Sequence, residues 1–159
     1  MPCGVGSGRK VKSIVPKKGA QMVSQNTIDI CSTILIVEDD EFVREELKFS
    51  LSQEKFEVFT ANDGIQALAE FSSGQRNFCA IVTDINLGPG PNGWEVARQS
   101  RLFFPDIPVI YMSGEGLHAW TTDGVPNSAI VSKPFRLRQL LDALSSLRRT
   151  GELELSAGV

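Results

Sequence analysis

The chain is poor in the residues that build metal-sulfur centres. Its three cysteines, Cys3, Cys31 and Cys79, and its single histidine, His118, lack ligand spacing and form no even framework, so neither a zinc site nor a disulfide scaffold is expected. A reducing cytoplasm is the default compartment. No apolar run approaches the roughly 18 residues that cross a bilayer, and no apolar core follows the basic residues near the N-terminus. Membrane insertion and a secretory leader are not expected. Acids are absent from residues 1–28, which carry Arg9, Lys10, Lys12, Lys17 and Lys18. That leaves 11 of the 16 basic residues against all 19 acidic ones over residues 29–159, a balance of −8. Such a body repels a polyanion, so direct DNA binding is not expected of it.

What remains, 159 residues at 42% hydrophobic and 22% charged, is the composition of one globular domain with some chain to spare. Residues 1–30 are rich in Gly, Lys and Ser without helical or strand periodicity, and read as a disordered basic arm. Met22 offers an alternative translation start, which an intact mass from the native source would decide. Residues 31–149 carry the domain, and residues 150–159 read as a C-terminal tail too short for an output domain.

Within the domain, short apolar runs alternate with helical periodicity. Strands are expected at 34–37, 56–60, 78–82, 107–112 and 129–131, with Pro108 tolerable only at the start of the fourth. The second strand, carrying Glu57, suits a sheet edge. Helices are expected from the stripe Val43, Leu47, Leu51; from Ala67, Leu68 and Phe71 behind a cap at Asp63; and from Trp94, Ala97 and Phe104 as far as Pro105. A weak one spans 117–123, and Leu137, Leu140, Leu141, Leu144 and Leu147 mark the strongest. Five continuous apolar strands alternating with five helices need cover on both faces. The fold class is α/β, a doubly wound parallel sheet.

Ligands in such sheets bind beyond the carboxyl ends of the strands. Just past those ends lie Glu38-Asp39-Asp40, Asp84, Ser113 and Lys133-Pro134. Converging carboxylates repel one another, and a divalent cation with hard oxygen ligands relieves that. Magnesium also bridges carboxylates to a phosphoryl oxygen, while lysine and serine suit phosphoryl oxygens as charge and donor. Taken singly, the acids are helix caps, Ser113 a turn residue and Lys133 a surface lysine. Taken together at four strand ends, they make a phosphoryl-transfer site with an aspartate as acceptor. No Gly-rich nucleotide cradle is present, so ATP is not the obvious donor.

The segments Ile34-Leu35-Ile36-Val37-Glu38-Asp39-Asp40, Ala61-Asn62-Asp63-Gly64-Ile65-Gln66-Ala67-Leu68, Val82-Thr83-Asp84-Ile85-Asn86-Leu87, Pro108-Val109-Ile110-Tyr111-Met112-Ser113-Gly114 and Lys133-Pro134-Phe135 carry a specific resemblance. Over residues 33–149 the chain resembles the receiver domain of two-component response regulators, in the stand-alone form of the chemotaxis receiver. The resemblance implies a flavodoxin-like five-stranded sheet of order 2-1-3-4-5. It implies a phosphoryl group accepted on Asp84 from a sensor histidine kinase or a histidine phosphotransfer protein. Mg2+ would be held by Glu38, Asp39, Asp84 and the carbonyl of Asn86, directly or through water, with Ser113 and Lys133 on the phosphoryl group. A cis Lys133–Pro134 bond and output by protein–protein interaction or phosphorelay, rather than enzymatic turnover, are also implied.

The chain departs from the family at three places. Gly88 stands where the family usually has proline, in a loop to Asn92-Gly93 that runs one residue longer. Ile130 occupies the usual aromatic switch position, and Gly124-Val125-Pro126 replaces the usual Gly-Ala. Ile130, stiff and apolar, is expected to stay packed inward. The signal would then pass through the loop after Ser113 and the helix bearing Trp120, a residue that suits either core or a docking face. Two alternatives stand beside this reading. One is an aspartate-nucleophile phosphatase of the haloacid dehalogenase type, disfavoured because Asn86 cannot serve as its general acid. The other is a degenerate receiver that binds partners without phosphorylation.

Overall fold

Alternation along a strand sends successive side chains to opposite faces, so a continuous apolar run is stable only between two layers of cover. Ile34 and Ile36 face one layer, and Leu35 and Val37 the other; all four are fully buried. The computed structural model describes residues 31–115 and 117–157. Among them are the strands β1 (Thr33–Val37), β2 (Glu57–Ala61), β3 (Ala80–Asp84), β4 (Val109–Ser113) and β5 (Ser128–Ser132), and the helices α1 (Glu41–Gln53), α2 (Gly64–Ser73), α3 (Gly93–Ser100), α4 (Leu117–Asp123) and α5 (Leu137–Ala157). All strand pairs are parallel, in the order β2-β1-β3-β4-β5. This is the doubly wound architecture expected from the sequence, with β2 at an edge. The basic arm and Met22 lie outside the described residues.

One core layer joins Leu35, Val37, Ile81, Val109 and Tyr111 to Ala67 and Phe71 of α2 and Trp94 and Ala97 of α3. The other joins Ile34, Ile36, Val82, Ile110 and Met112 to Leu47 and Leu51 of α1 and Leu140 and Leu144 of α5. Each fully buried Leu or Ile contributes about 1.5–3 kcal/mol. Among the described residues, no helix is long and apolar enough to cross a membrane.

The helices begin where side chains take up free backbone donors. Asp40 accepts from the Val43 N–H at 3.0 Å, Asp63 from Gln66 at 2.7 Å, and Asn92 forms a capping box with Glu95. Gly74 ends α2 in the left-handed region (φ 64°), which a residue without Cβ adopts freely.

The structure differs from the sequence expectation by more than one residue in four segments; in one of them, Ile107 and Pro108 precede β4 instead of opening it. Phe78 and Cys79 precede β3 instead of opening it. The Phe78 ring packs edge-on against Phe59, Phe71 and Phe104, so its apolarity serves an aromatic cluster under the sheet end. Helix α3 stops at Ser100, well before Pro105; Leu102 and Phe103 close tighter turns on Gln99 and Ser100, and Phe104 reaches the core from there. Helix α5 continues through the stretch expected as a tail, to Ala157.

Candidate functional site

The strand order sets the site. β1 and β3 are neighbours at the centre of the sheet, so residues leaving their carboxyl ends meet, and β4 and β5 bring theirs alongside. Pairing of β1 stops at Val37. Glu38 and Asp39 follow at once, Asp84 and Ser113 close β3 and β4, and Lys133 lies one residue past β5.

Glu38, Asp39 and Asp84 each offer a carboxylate oxygen within 4.8 Å of the others. Glu38 is 1% exposed and Asp84 8%, whereas Asp39 is exposed. Lys133 reaches back across the sheet end. Its Nζ lies 3.0 Å from Glu38 Oε2 and 3.3 Å from Asp84 Oδ2, while its backbone N–H donates to the Ser113 carbonyl at 2.8 Å. The Lys133–Pro134 peptide is cis, as the resemblance implied. The second Glu38 oxygen accepts the Asp40 N–H at 3.1 Å.

Burial pushes the Glu38 carboxyl above its ordinary range, with the Asp84 charge adding to the rise. The Lys133 hydrogen bond and charge and the Asp40 N–H offset only part of it. Burial also disfavours the Lys133 ammonium, but the hydrogen bond to Glu38 and the two carboxylate charges outweigh it and raise that group. The amine is held charged between two acids. Three hard oxygen donors crowded beside one ammonium form a set that suits a small divalent cation and an anionic phosphoryl group in turn.

The remaining site residues take different places. Ser113 is buried, and its hydroxyl accepts the Glu115 N–H at 3.0 Å. Asn86 is exposed in the loop two residues past Asp84 and is not one of the clustered carboxylates. Asp40 caps α1. Ile130 is half-buried, opposite Tyr111 in register, and packs on the α2/α3 core layer. Trp120 is half-buried on the same layer, its indole N–H donating to the Ser128 hydroxyl at 3.0 Å.

Three contributors escaped the sequence reading. Arg44 Nη1 donates to the Glu38 carbonyl at 2.9 Å and approaches that of Asp39 at 3.5 Å. The signal was present, since a cation in the first turn of a helix opposes the helix dipole and needs a reason to be there. The fully buried Thr83 hydroxyl donates to the Asp84 carbonyl at 2.8 Å. Gly93, read from sequence only as the end of the loop that follows Asp84, sits directly against that same carbonyl and donates its N–H to the Ile85 carbonyl at 2.8 Å. In the loop between, Gly88 (φ 73°) and Gly90 (φ 95°) adopt left-handed backbone. Pro91 rests so closely on Gly64 that a Cβ there would lie 2.2 Å from the Pro91 carbonyl oxygen.

Residues 34–145 match the family model of the response regulator receiver domain. The response regulator MprA of Mycobacterium ulcerans is 36% identical over 129 residues, which are 76% of this chain and 52% of that protein. The chain thus spans about half the length of the curated relatives it matches. Among solved structures, a response regulator receiver protein from Sinorhizobium medicae aligns with a TM-score of 0.70 at 35% identity, covering 74% of this chain and 94% of that one. The chemotaxis protein CheY4 of Vibrio cholerae aligns with a TM-score of 0.66 at 27% identity, covering 73% and 98%.

Proposed function

The chain belongs to the response regulator receiver family of two-component systems, and from that premise we propose that Asp84 accepts a phosphoryl group from the phosphohistidine of a sensor histidine kinase or a histidine phosphotransfer protein. The observation that carries the reading is the cluster of buried Glu38 and Asp84 with exposed Asp39, and Lys133 Nζ bridging the two buried members.

In the proposed step an Asp84 carboxylate oxygen attacks phosphorus in line with the imidazole nitrogen. The new O–P bond forms as the N–P bond breaks, and the electron pair leaves with the imidazole. Lys133, now paired with Asp84 Oδ2, turns its ammonium to the incoming phosphoryl oxygens, and the Ser113 hydroxyl donates to another. Glu38, Asp39, Asp84 and the Asn86 carbonyl are the groups that would hold Mg2+, directly or through water. When bound, the cation would supply charge neutralisation for the carboxylates and the incoming phosphoryl group. Turnover is confined to acceptance and slow self-hydrolysis.

Readout is proposed to run by protein–protein interaction or phosphorelay in the cytoplasm, without direct DNA contact by the acidic body. As Ser113 moves toward the phosphoryl group, Ile130 stays packed, and the change passes through residues 114–123. Hydrogen exchange with and without a phosphoryl mimic tests this: a response centred on Ile130 with residues 114–123 quiet would overturn it.

Acceptance itself is tested with a small acyl phosphate and Mg2+, followed by intact-mass measurement and peptide mapping. One base-labile phosphoryl group on Asp84, lost in Asp84→Asn, is the expected result. Modification undiminished in Asp84→Asn would refute the assignment, and stoichiometric binding of partners without modification would favour the degenerate receiver.

A further inference from the structure

We propose that Arg44 is a positioning residue for the divalent-cation site, holding the Glu38–Asp39 backbone so that the Asp39 carboxylate stays within reach of Glu38 and Asp84. This rests on the magnesium-dependent reading of the site.

The three acids are held in different ways. Both Glu38 oxygens are engaged, by the Asp40 N–H and by Lys133, and Lys133 also holds Asp84. Among the described residues, no hydrogen bond or ion pair reaches the carboxylate of Asp39, which is exposed. Its place therefore depends on its backbone. Beyond the Glu38 N–H, which still donates to the Ala61 carbonyl of β2 at 3.1 Å, that backbone has left the sheet, since the register of β1 ends at Val37 on both sides. Helix α1 begins at Glu41, leaving a three-residue turn whose first carbonyls need donors from elsewhere.

Arg44 supplies them. Its side chain runs back toward the helix N-terminus, the direction helical side chains favour, and Nη1 lies 2.9 Å from the Glu38 carbonyl and 3.5 Å from that of Asp39. The position is electrostatically unfavourable for a cation, since the N-terminal end of α1 is itself partly positive and a bound divalent ion would add to that. One nitrogen, Nη1, serves both carbonyls from a rigid planar group, a placement that a flexible lysine ammonium does not hold.

The two possible actions of Arg44 have opposite signs, which makes them separable. A residue acting only through its charge would repel Mg2+, so that Arg44→Gln would tighten binding. A residue acting through position would weaken binding when lost, whatever happens to the charge. Mg2+ affinity of the unphosphorylated full chain is measured by titration calorimetry for the wild-type chain, Arg44→Gln and Arg44→Lys. Melting without Mg2+ is recorded in parallel, and titrations are run well below every midpoint.

Both variants are expected to bind Mg2+ on the order of 10-fold more weakly, the low end for a group that orients a ligand from behind. Arg44→Lys keeps the charge and serves if Arg44→Gln fails to fold. Wild-type affinity or tighter in either folded variant would overturn the role of Arg44 while leaving the site intact. A wild-type chain that does not bind Mg2+ would overturn the reading of the site, and this proposal with it.

Discussion

Replacing Gly93 by alanine tests whether the start of α3 and the end of the acceptor strand form one rigid unit. A Cβ at position 93 would lie 2.2 Å from the Asp84 carbonyl oxygen, 2.8 Å from Ile85 Cα and 3.0 Å from the Asp84 carbonyl carbon. All three are backbone atoms, so no rotamer change relieves the overlap. Gly93 is not among the glycines in left-handed backbone, which makes the cost steric, not torsional. Retreat is opposed from both sides. The Gly93 N–H donates to the Ile85 carbonyl at 2.8 Å, and the Asn92–Glu95 capping box fixes the helix start one residue earlier. Overpacking costs about 1–3 kcal/mol where neighbours can shift; with backbone on every side the upper end applies, about 3 kcal/mol. For a domain of this size each kcal/mol moves the melting temperature by about 4 °C, so a fall of about 12 °C is expected. Gly114→Ala is the control: nothing lies within 4 Å of its Cβ position, and a change within about 0.5 kcal/mol is expected. Thermal unfolding followed by circular dichroism reads both. The displaced atom belongs to the acceptor residue itself, so Gly93→Ala should also accept a phosphoryl group more slowly well below its melting point. A melting temperature within about 2 °C of the wild-type chain would refute the packing argument.

Three further outcomes are expected. Asp40→Ala removes the α1 cap, at a cost of about 1 kcal/mol, but keeps the backbone N–H that bonds Glu38; it should therefore leave Mg2+ affinity intact while Asp39→Asn lowers it, and equal effects in calorimetry would contradict that division. Lys133→Met leaves Glu38 buried without its amine. Because the lysine is 31% exposed, the loss should be about 1–2 kcal/mol, below the 3–5 of a fully buried pair. Adding Glu38→Gln should recover it, and a denaturation midpoint unmoved by Lys133→Met would remove the case for the pair. Tyr111 is the chain's single tyrosine; burial pushes its hydroxyl up, more than the Val125 N–H bond and the Arg101 and Arg98 charges lower it. A raised group of this kind contributes stability that is complete below the ordinary value near 10 and is lost as pH rises through the raised one. Phenolate absorbance should therefore appear together with alkaline unfolding. Ionisation near pH 10 in a still-folded chain would show the hydroxyl to be solvated.

The order of elements was legible because each strand and most helices announce themselves locally. Ile34–Val37 is apolar at every position, and Leu140 and Leu144 recur at helical spacing, so period alone identifies them. Acids and a lysine at strand ends were legible for the same reason, since a parallel sheet always presents those ends on one side. The misreadings fell where apolar residues serve something other than a regular element. Phe78 belongs to an aromatic cluster, and Phe104 reaches the same cluster from a turn after α3 has ended. In sequence both look like continuations of the neighbouring strand or helix.

Sequence by itself determined the fold class, the two-faced burial of the strands and the residues that stand at their carboxyl ends, because these follow from local periodicity and residue chemistry. Tertiary structure alone decided which of those residues touch. Lys133 meets Glu38 across 95 residues of chain, and Gly93 meets the Asp84 carbonyl through the loop 85–92, whose path is set by Gly88, Gly90 and the contact of Pro91 with Gly64. Distances of a few ångströms between such segments depend on strand order, register and the closest approach that backbone atoms allow. Those are properties of the assembled sheet, and no single segment encodes them.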